Sequence, residues 1–262
     1  MADQALQEET TLEVSGVRVY CQRRGQGPPL LLLHAEDAAS QWRPFHALLA
    51  RQFEVILPDH PGFGRSEALP WLRGMPDLVY WYLDFLDQLG LERVHVVGES
   101  FGGWLAATLA VVYSHRLERL VLIGPAGVKP RGVSVPDLFA MSPAEWAATT
   151  LHAPERVAAG SAERPNRATL ERQLRDKATL ARLAWNPYLH DPQLPHWLHR
   201  VRVPTLLIWG RYDRLLPPAL ADHWLRRLPD ARLVTIEAAG HFPQIERPDV
   251  VAATVSDFLQ GE

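Results

Sequence analysis

The chain has 262 residues, 47% of them hydrophobic and 22% charged, with a formal net charge of −3 and a pI near 6.4. That length holds one substantial core, and this balance of apolar and charged residues is that of a soluble globular protein. The mildly acidic charge argues against a nucleic-acid or anionic-membrane partner, no apolar run approaches a membrane span, and the single Cys21 rules out an intrachain disulfide.

Residues 1–14 are acidic and polar, without the basic and apolar regions of a secretory signal, so a cytoplasmic location is expected. Residues 11–14 and 17–23 read as an antiparallel pair turning at Gly16, and residues 30–34 form an unbroken apolar run, as for a strand covered on both faces. Residues 45–50 read as helix and 53–57 as strand. Residues 77–89 bring Leu78, Tyr82, Phe85, Leu86 and Leu89 to one helical face and stop at Gly90. A strand at 94–97, a helix at 101–113 and a strand at 117–123 follow. The alternation resumes after residue 200 with a strand at 203–209, a helix at 218–228, a strand at 232–236 and a helix at 249–259. Strands alternating with helices predict an α/β fold, a mostly parallel sheet of eight strands with helices on both faces.

Between these runs, residues 125–200 are rich in helix formers and broken by Pro130, Pro136, Pro143, Pro154, Pro165, Pro187, Pro192 and Pro195. Several short helices are expected there, inserted as a cap (125–200) into a core of residues 1–124 and 201–262. Leu170, Leu174, Ala178, Ala181 and Trp185 make an apolar helical stripe expected to pack on the core. Phe139, Met141, Trp146, Leu151 and Trp185 are the candidate pocket lining.

The chemistry-bearing motif is Gly98-Glu99-Ser100-Phe101-Gly102, which follows a strand and opens a helix. In that context G-x-S-x-G is a sharp turn that projects the serine hydroxyl above a sheet, with glycines where side chains would collide with neighbouring backbone. Two further strand ends supply partners: Asp213 lies just past Trp209-Gly210, and His241 follows the strand at 232–236. A serine needs a base to become a nucleophile near neutral pH, histidine is suited to that task, and a carboxylate orients the imidazole.

The chain resembles the α/β-hydrolase fold family over nearly its whole length, through Leu30-Leu31-Leu32-Leu33-His34, Pro58-Asp59-His60-Pro61-Gly62-Phe63-Gly64, the Ser100 turn, Trp209-Gly210-Arg211-Tyr212-Asp213 and Gly240-His241. It is similar to small bacterial serine esterases and to the related carbon–carbon bond hydrolases of ring-fission products. The resemblance implies Ser100 as nucleophile, His241 as general base and Asp213 as the orienting acid. It also implies an oxyanion hole from the backbone N–H groups of Glu36 and Phe101.

At the oxyanion loop the chain departs from the family pattern, with His34-Ala35-Glu36-Asp37 where relatives carry His-Gly. Ala35 requires a negative φ there. Glu36, Asp37 and Glu99 place carboxylates beside a developing negative charge, so their side chains are expected to turn outward; the alternatives are a grip on a polar substrate group or a salt bridge. His34 is expected to be structural. His190, His196 and His199 lack a completing ligand for a metal, and neither Gly25-Gln26-Gly27 nor Gly62-Phe63-Gly64 has dinucleotide spacing, so no metal or cofactor is expected. Arg167, Arg172, Arg175 and Arg182 read as a solvated face with Glu171–Arg175 pairing, Arg182 alternatively holding a substrate carboxylate.

The resulting expectation is a serine hydrolase of small carboxylic esters, working through an acyl-enzyme as a monomer or homodimer. The alternatives are carbon–carbon hydrolysis of a vinylogous diketo acid, favoured by a basic side chain in the pocket, and a non-hydrolytic lyase or ligand-binding protein.

Overall fold

Residues 7–158 and 166–261 are described by a computed structural model; Pro165 and the beginning of the chain lie outside them. Strands β1 (Gln7–Val14), β2 (Val17–Arg24), β3 (Pro29–Leu33), β4 (Glu54–Pro58), β5 (Val94–Glu99), β6 (Leu117–Ile123), β7 (Thr205–Gly210) and β8 (Ala231–Ile236) form one sheet in the order β1-β2-β4-β3-β5-β6-β7-β8. β1 and β2 are antiparallel to their neighbours, and the remaining pairings are parallel.

The apolar run in β3 shows how the sheet is held. Leu31 and Leu33 face one core with β5 Val94 and Val96, while Leu30 and Leu32 face a second core on the opposite side. The first core is covered by α2 (Met75–Gln88) and α3 (Phe101–Tyr113), through residues such as Trp81, Phe85 and Leu105. The second is covered by α1 (Pro44–Leu49) and α10 (Pro248–Gln260), through Phe45, Leu49, Val251 and Phe258. Strands buried on both faces lose the polar alternation of a half-exposed sheet.

Between β6 and β7 the chain forms α4 (Pro143–Thr150), α5 (Pro154–Ala158), α6 (Arg167–Ala184) and α7 (Leu194–Trp197). After β7 the predicted 218–228 helix is a 3₁₀ turn followed by α8 (Ala221–Leu225), and α9 (Pro243–Glu246) precedes α10. Among the described residues no helix is long and apolar enough to cross a membrane.

The inserted helix α6 corrects two expectations. Leu170, Leu174 and Trp185 of the apolar stripe are exposed; the helix instead buries Thr179, Leu180, Leu183 and Ala184. It is fastened by polar bonds to the 59–66 loop: Thr179 Oγ1 donates to Gly62 O at 2.9 Å, Asp176 Oδ1 accepts from Gly64 N–H at 2.9 Å, and Arg175 donates to Gly64 O. Glu171 pairs with Arg167 at 2.8 Å instead of with Arg175.

Candidate active site

Ser100 sits between β5 and α3 with φ 48° and ψ −111°, a left-handed conformation costly for a residue with a Cβ. Close packing holds it there. A Cβ on Gly102 would run into Leu33 O and His34 O, so glycine lets the start of α3 lie against the end of β3. Gly210 plays the matching part at β7, where a Cβ would strike Gly240 O. The loops after β7 and β8 thereby meet, with Tyr212 N–H bonded to Ala239 O at 2.9 Å.

Three strand ends converge as a result. Ser100 Oγ lies 2.8 Å from His241 Nε2, and His241 Nδ1 lies 2.8 Å from Asp213 Oδ2. All three residues are buried. Asp213 Oδ1 accepts from Leu215 N–H at 2.9 Å and Leu216 N–H at 2.8 Å, which leaves Oδ2 for the imidazole. The ring is therefore in the tautomer with its proton on Nδ1, and Nε2 is free to accept the serine proton. Burial alone would push the His241 pKa down; the Asp213 carboxylate, aided by Glu36 and Asp37, overrides it and holds the pKa above the ordinary histidine value.

Glu246 braces this arrangement, a part the sequence reading had not assigned to it. Its carboxylate accepts from Gly240 N–H at 2.7 Å and from His152 and Ala153 N–H at 2.9 and 2.8 Å, tying the histidine loop to the inserted segment. His241 N–H itself donates to Thr150 O at 2.7 Å. Such bonds to an ionised acceptor are stronger than neutral ones.

The oxyanion loop is fixed from behind by two neutral histidines. His60 N–H donates to His34 Nε2 at 3.0 Å, His60 Nε2–H donates to His34 O at 3.0 Å, and Tyr82 O–H reaches His60 Nδ1 at 2.5 Å. Burial pushes both imidazoles below their ordinary pKa, so they serve as hydrogen-bonding struts. His34 is structural, as expected, and Ala35 avoids positive φ.

The acidic side chains do not turn outward. Glu36 is 7% exposed, and its Oε2 accepts from Phe101 N–H at 3.4 Å. One expected oxyanion donor is thus occupied by the neighbouring carboxylate, while the Glu36 N–H bonds to no acceptor among the described residues. Glu99 is 1% exposed, and its Oε1 lies 3.8 Å from His46 Nε2, too long for a hydrogen bond. Burial pushes the Glu99 carboxyl up, but His46, with Arg43 and Gln244, brings it below the usual carboxylate range. Asp37, also inward, is raised to about 6 by burial. The outward expectation treated charge as a surface property, whereas here the carboxylates share a buried polar cluster with Arg43 and His46.

Beside Glu36 opens a cavity of about 520 Å³. Its apolar wall is Met141, Trp146, Leu151 and Val157; Trp146 stacks on Phe242, whose ring is 4.6 Å from that of His241. Its polar wall holds Glu36, Asp37, Arg43 and Gln244 from the core and Asp176 and Lys177 from α6. Of the expected lining, Met141, Trp146 and Leu151 are in place. Phe139 and Trp185 pack on each other at 5.1 Å outside the cavity, with Trp185 exposed. Arg182 does not line it either. Arg43, which the sequence reading passed over, does.

Comparison with known proteins agrees with this architecture. A family model for the alpha/beta hydrolase fold matches residues 28–248. The chain is 29% identical to a 2-hydroxy-6-oxononadienedioate/2-hydroxy-6-oxononatrienedioate hydrolase of Burkholderia vietnamiensis, over 93% of this chain and 91% of that one. It is 28% identical to a 2-hydroxy-6-oxo-6-phenylhexa-2,4-dienoate hydrolase of Burkholderia cepacia, over 94% and 92%. The crystallised enzyme of the latter name from Rhodococcus superposes with a TM-score of 0.78 at 24% identity, covering 98% of this chain and 100% of that one.

Proposed function

The chain belongs to the α/β-hydrolase fold family, and from that premise we propose that it hydrolyses a small acidic substrate at Ser100 through an acyl-enzyme, cutting a carbon–carbon bond beside a ketone. Ser100 Oγ attacks the ketone carbon as His241 Nε2 takes its proton, and Asp213 stabilises the imidazolium. The oxyanion is received by the N–H groups of Phe101 and Glu36 once the Glu36 carboxylate releases the former. As the bond breaks, its electron pair passes to a carbon conjugated with a second carbonyl, and His241 supplies the proton. Water then attacks the acyl-enzyme by the same route.

One observation carries this reading over ester cleavage. Arg43 and Lys177 place two cationic side chains on the wall of the cavity, Arg43 with Nε and Nη2 held on Gln41 Oε1 at 3.1 and 2.8 Å. Cations on the cavity wall suit a substrate carboxylate better than a neutral ester. The names of the Burkholderia vietnamiensis and Burkholderia cepacia relatives, both hydrolases of 2-hydroxy-6-oxo acids, support the same class. The test compares kcat/KM for 2-hydroxy-6-oxo-6-phenylhexa-2,4-dienoate, followed by loss of its absorbance, with that for p-nitrophenyl esters of increasing acyl length. At least about tenfold preference for the dienoate is expected, roughly 1.4 kcal/mol in transition-state binding. Ester turnover without dienoate turnover would restore the ester reading, which the apolar wall of Met141, Trp146, Leu151 and Val157 favours.

A further inference from the structure

Helix α6 turns outward the side that an amphipathic helix ordinarily hides. Leu170, Leu174, Ala178, Ala181 and Trp185 recur at helical spacing, which keeps them on one side of the helix. Leu170 is 47%, Leu174 67% and Trp185 54% exposed, and Ala178 is exposed with them. The opposite side is the one fixed to the protein, through buried Thr179, Leu180, Leu183 and Ala184 and the bonds to the 59–66 loop. Single exposed leucines are ordinary, whereas a continuous apolar ridge about 22 Å long marks a contact surface.

Charge identifies what the ridge meets. Arg175 and Arg182 border it along one edge and Lys177 along the other, with Arg167 at its start. Of the acids in α6, Glu171 is held by Arg167 at 2.8 Å, and Asp176 turns inward to Gly64 N–H. The chain as a whole carries −3, which speaks against an anionic surface, but this face has the opposite sign. A second copy laid on the same face would set these cations against their own counterparts. The middle of the ridge is Ala178 and Ala181, too small to anchor in the pockets of a protein groove, whereas lipid chains close around an uneven ridge.

We propose that α6 is an interfacial helix that docks the chain on an anionic lipid surface, with Leu170, Leu174 and Trp185 entering the acyl boundary and the flanking cations meeting headgroup phosphates. Long arginine and lysine stems let the ridge sink while their charges stay at headgroup level. Attachment is reversible and salt-sensitive, because it needs the ridge and the cations together. Gln173, Asp176 and Lys177 of the same helix line the catalytic cavity, so docking places one wall of that cavity beside the lipid. The inference concerns a surface and stands apart from the reaction proposed at Ser100.

Sedimentation of the full chain with unilamellar vesicles tests it. Vesicles of equal parts phosphatidylglycerol and phosphatidylcholine should bind the protein at least about tenfold more strongly than phosphatidylcholine alone, and less strongly as salt rises. Replacing Leu170 and Leu174 together by glutamine should weaken binding at least about tenfold, the scale of leucine side chains kept out of an apolar layer. Arg182→Gln should weaken it about fivefold. All three side chains are exposed, so melting temperatures should match that of the wild type. Tryptophan emission should shift to the blue on the anionic vesicles, and the shift should vanish in Trp185→Phe. No binding to the anionic vesicles overturns the proposal, as does binding that the leucine variant leaves intact. A dimer that the leucine variant dissociates, without vesicle binding, also overturns it and gives the ridge to a second copy.

Discussion

Asp213→Asn isolates the electrostatic centre of the site from its scaffold. Asp213 Oδ1 accepts the N–H groups of Leu215 and Leu216, and the asparagine carbonyl oxygen can keep both bonds. Its amide NH₂ must then point at His241 Nδ1, where Oδ2 accepts at 2.8 Å. Two donors cannot face each other, so the imidazole proton moves to Nε2, the nitrogen 2.8 Å from Ser100 Oγ. In that tautomer the base cannot accept the serine proton, and the charge that stabilises the imidazolium is gone. A loss of about 10⁴ in kcat/KM is expected, or roughly 5.5 kcal/mol of transition-state stabilisation. The melting temperature should change little, because the two backbone bonds survive. Steady-state kinetics between pH 6 and 9, with thermal melts of both proteins, provide the assay. A variant within tenfold of the wild type near neutral pH would refute the reasoning and place the acid elsewhere.

The raised pKa of His241 sets a second expectation. Only the neutral imidazole accepts a proton, so kcat/KM should rise with pH through a limb lying above the ordinary histidine value of 6.5; a limb below it contradicts the assigned influence of Asp213. Gly102→Ala drives a methyl group into Leu33 O and His34 O and should cost on the order of 3 kcal/mol or abolish folding, as read by urea denaturation. Thr179→Val removes the α6 bond to Gly62 O and should lower the melting temperature by about 2–4 °C, corresponding to ~1 kcal/mol. Asp176 is raised from 3.8 to about 6 by burial, so the folded state holds its proton more tightly than the unfolded one. Its contribution is present in full below pH 3.8 and is lost as pH climbs through about 6, and Asp176→Asn should flatten that part of the melting-temperature profile.

The sheet and the triad were legible because their signals are local. Residues 30–33 are apolar without a break because β3 is buried on both faces, and Gly98, Ser100 and Gly102 mark a turn whose close contacts admit few other residues. Three strand-end loops could be recognised one at a time, and parallel pairing brings them to one edge. What could not be read depended on tertiary surroundings. Glu36 and Glu99 carry no sequence mark of burial; their place inside follows from Arg43, His46 and Gln244 closing around them. The α6 stripe misled because apolar spacing predicts a face and not its partner, and polar bonds from Thr179, Asp176 and Arg175 to the 59–66 loop turned the other face inward. Large apolar residues in the inserted segment, Phe139 and Trp185 read as cavity lining, but in the structure they pack on each other instead.

The central claim is that Ser100 becomes covalently acylated while His241 acts as its base. Mass spectrometry of the intact protein after exposure to a fluorophosphonate tests it most directly. One adduct per chain, mapped by peptide sequencing to Ser100, absent in Ser100→Ala and strongly slowed in Asp213→Asn, is the predicted result. Unlabelled wild-type protein that nonetheless hydrolyses the dienoate or an ester, or an adduct on another residue, would contradict it.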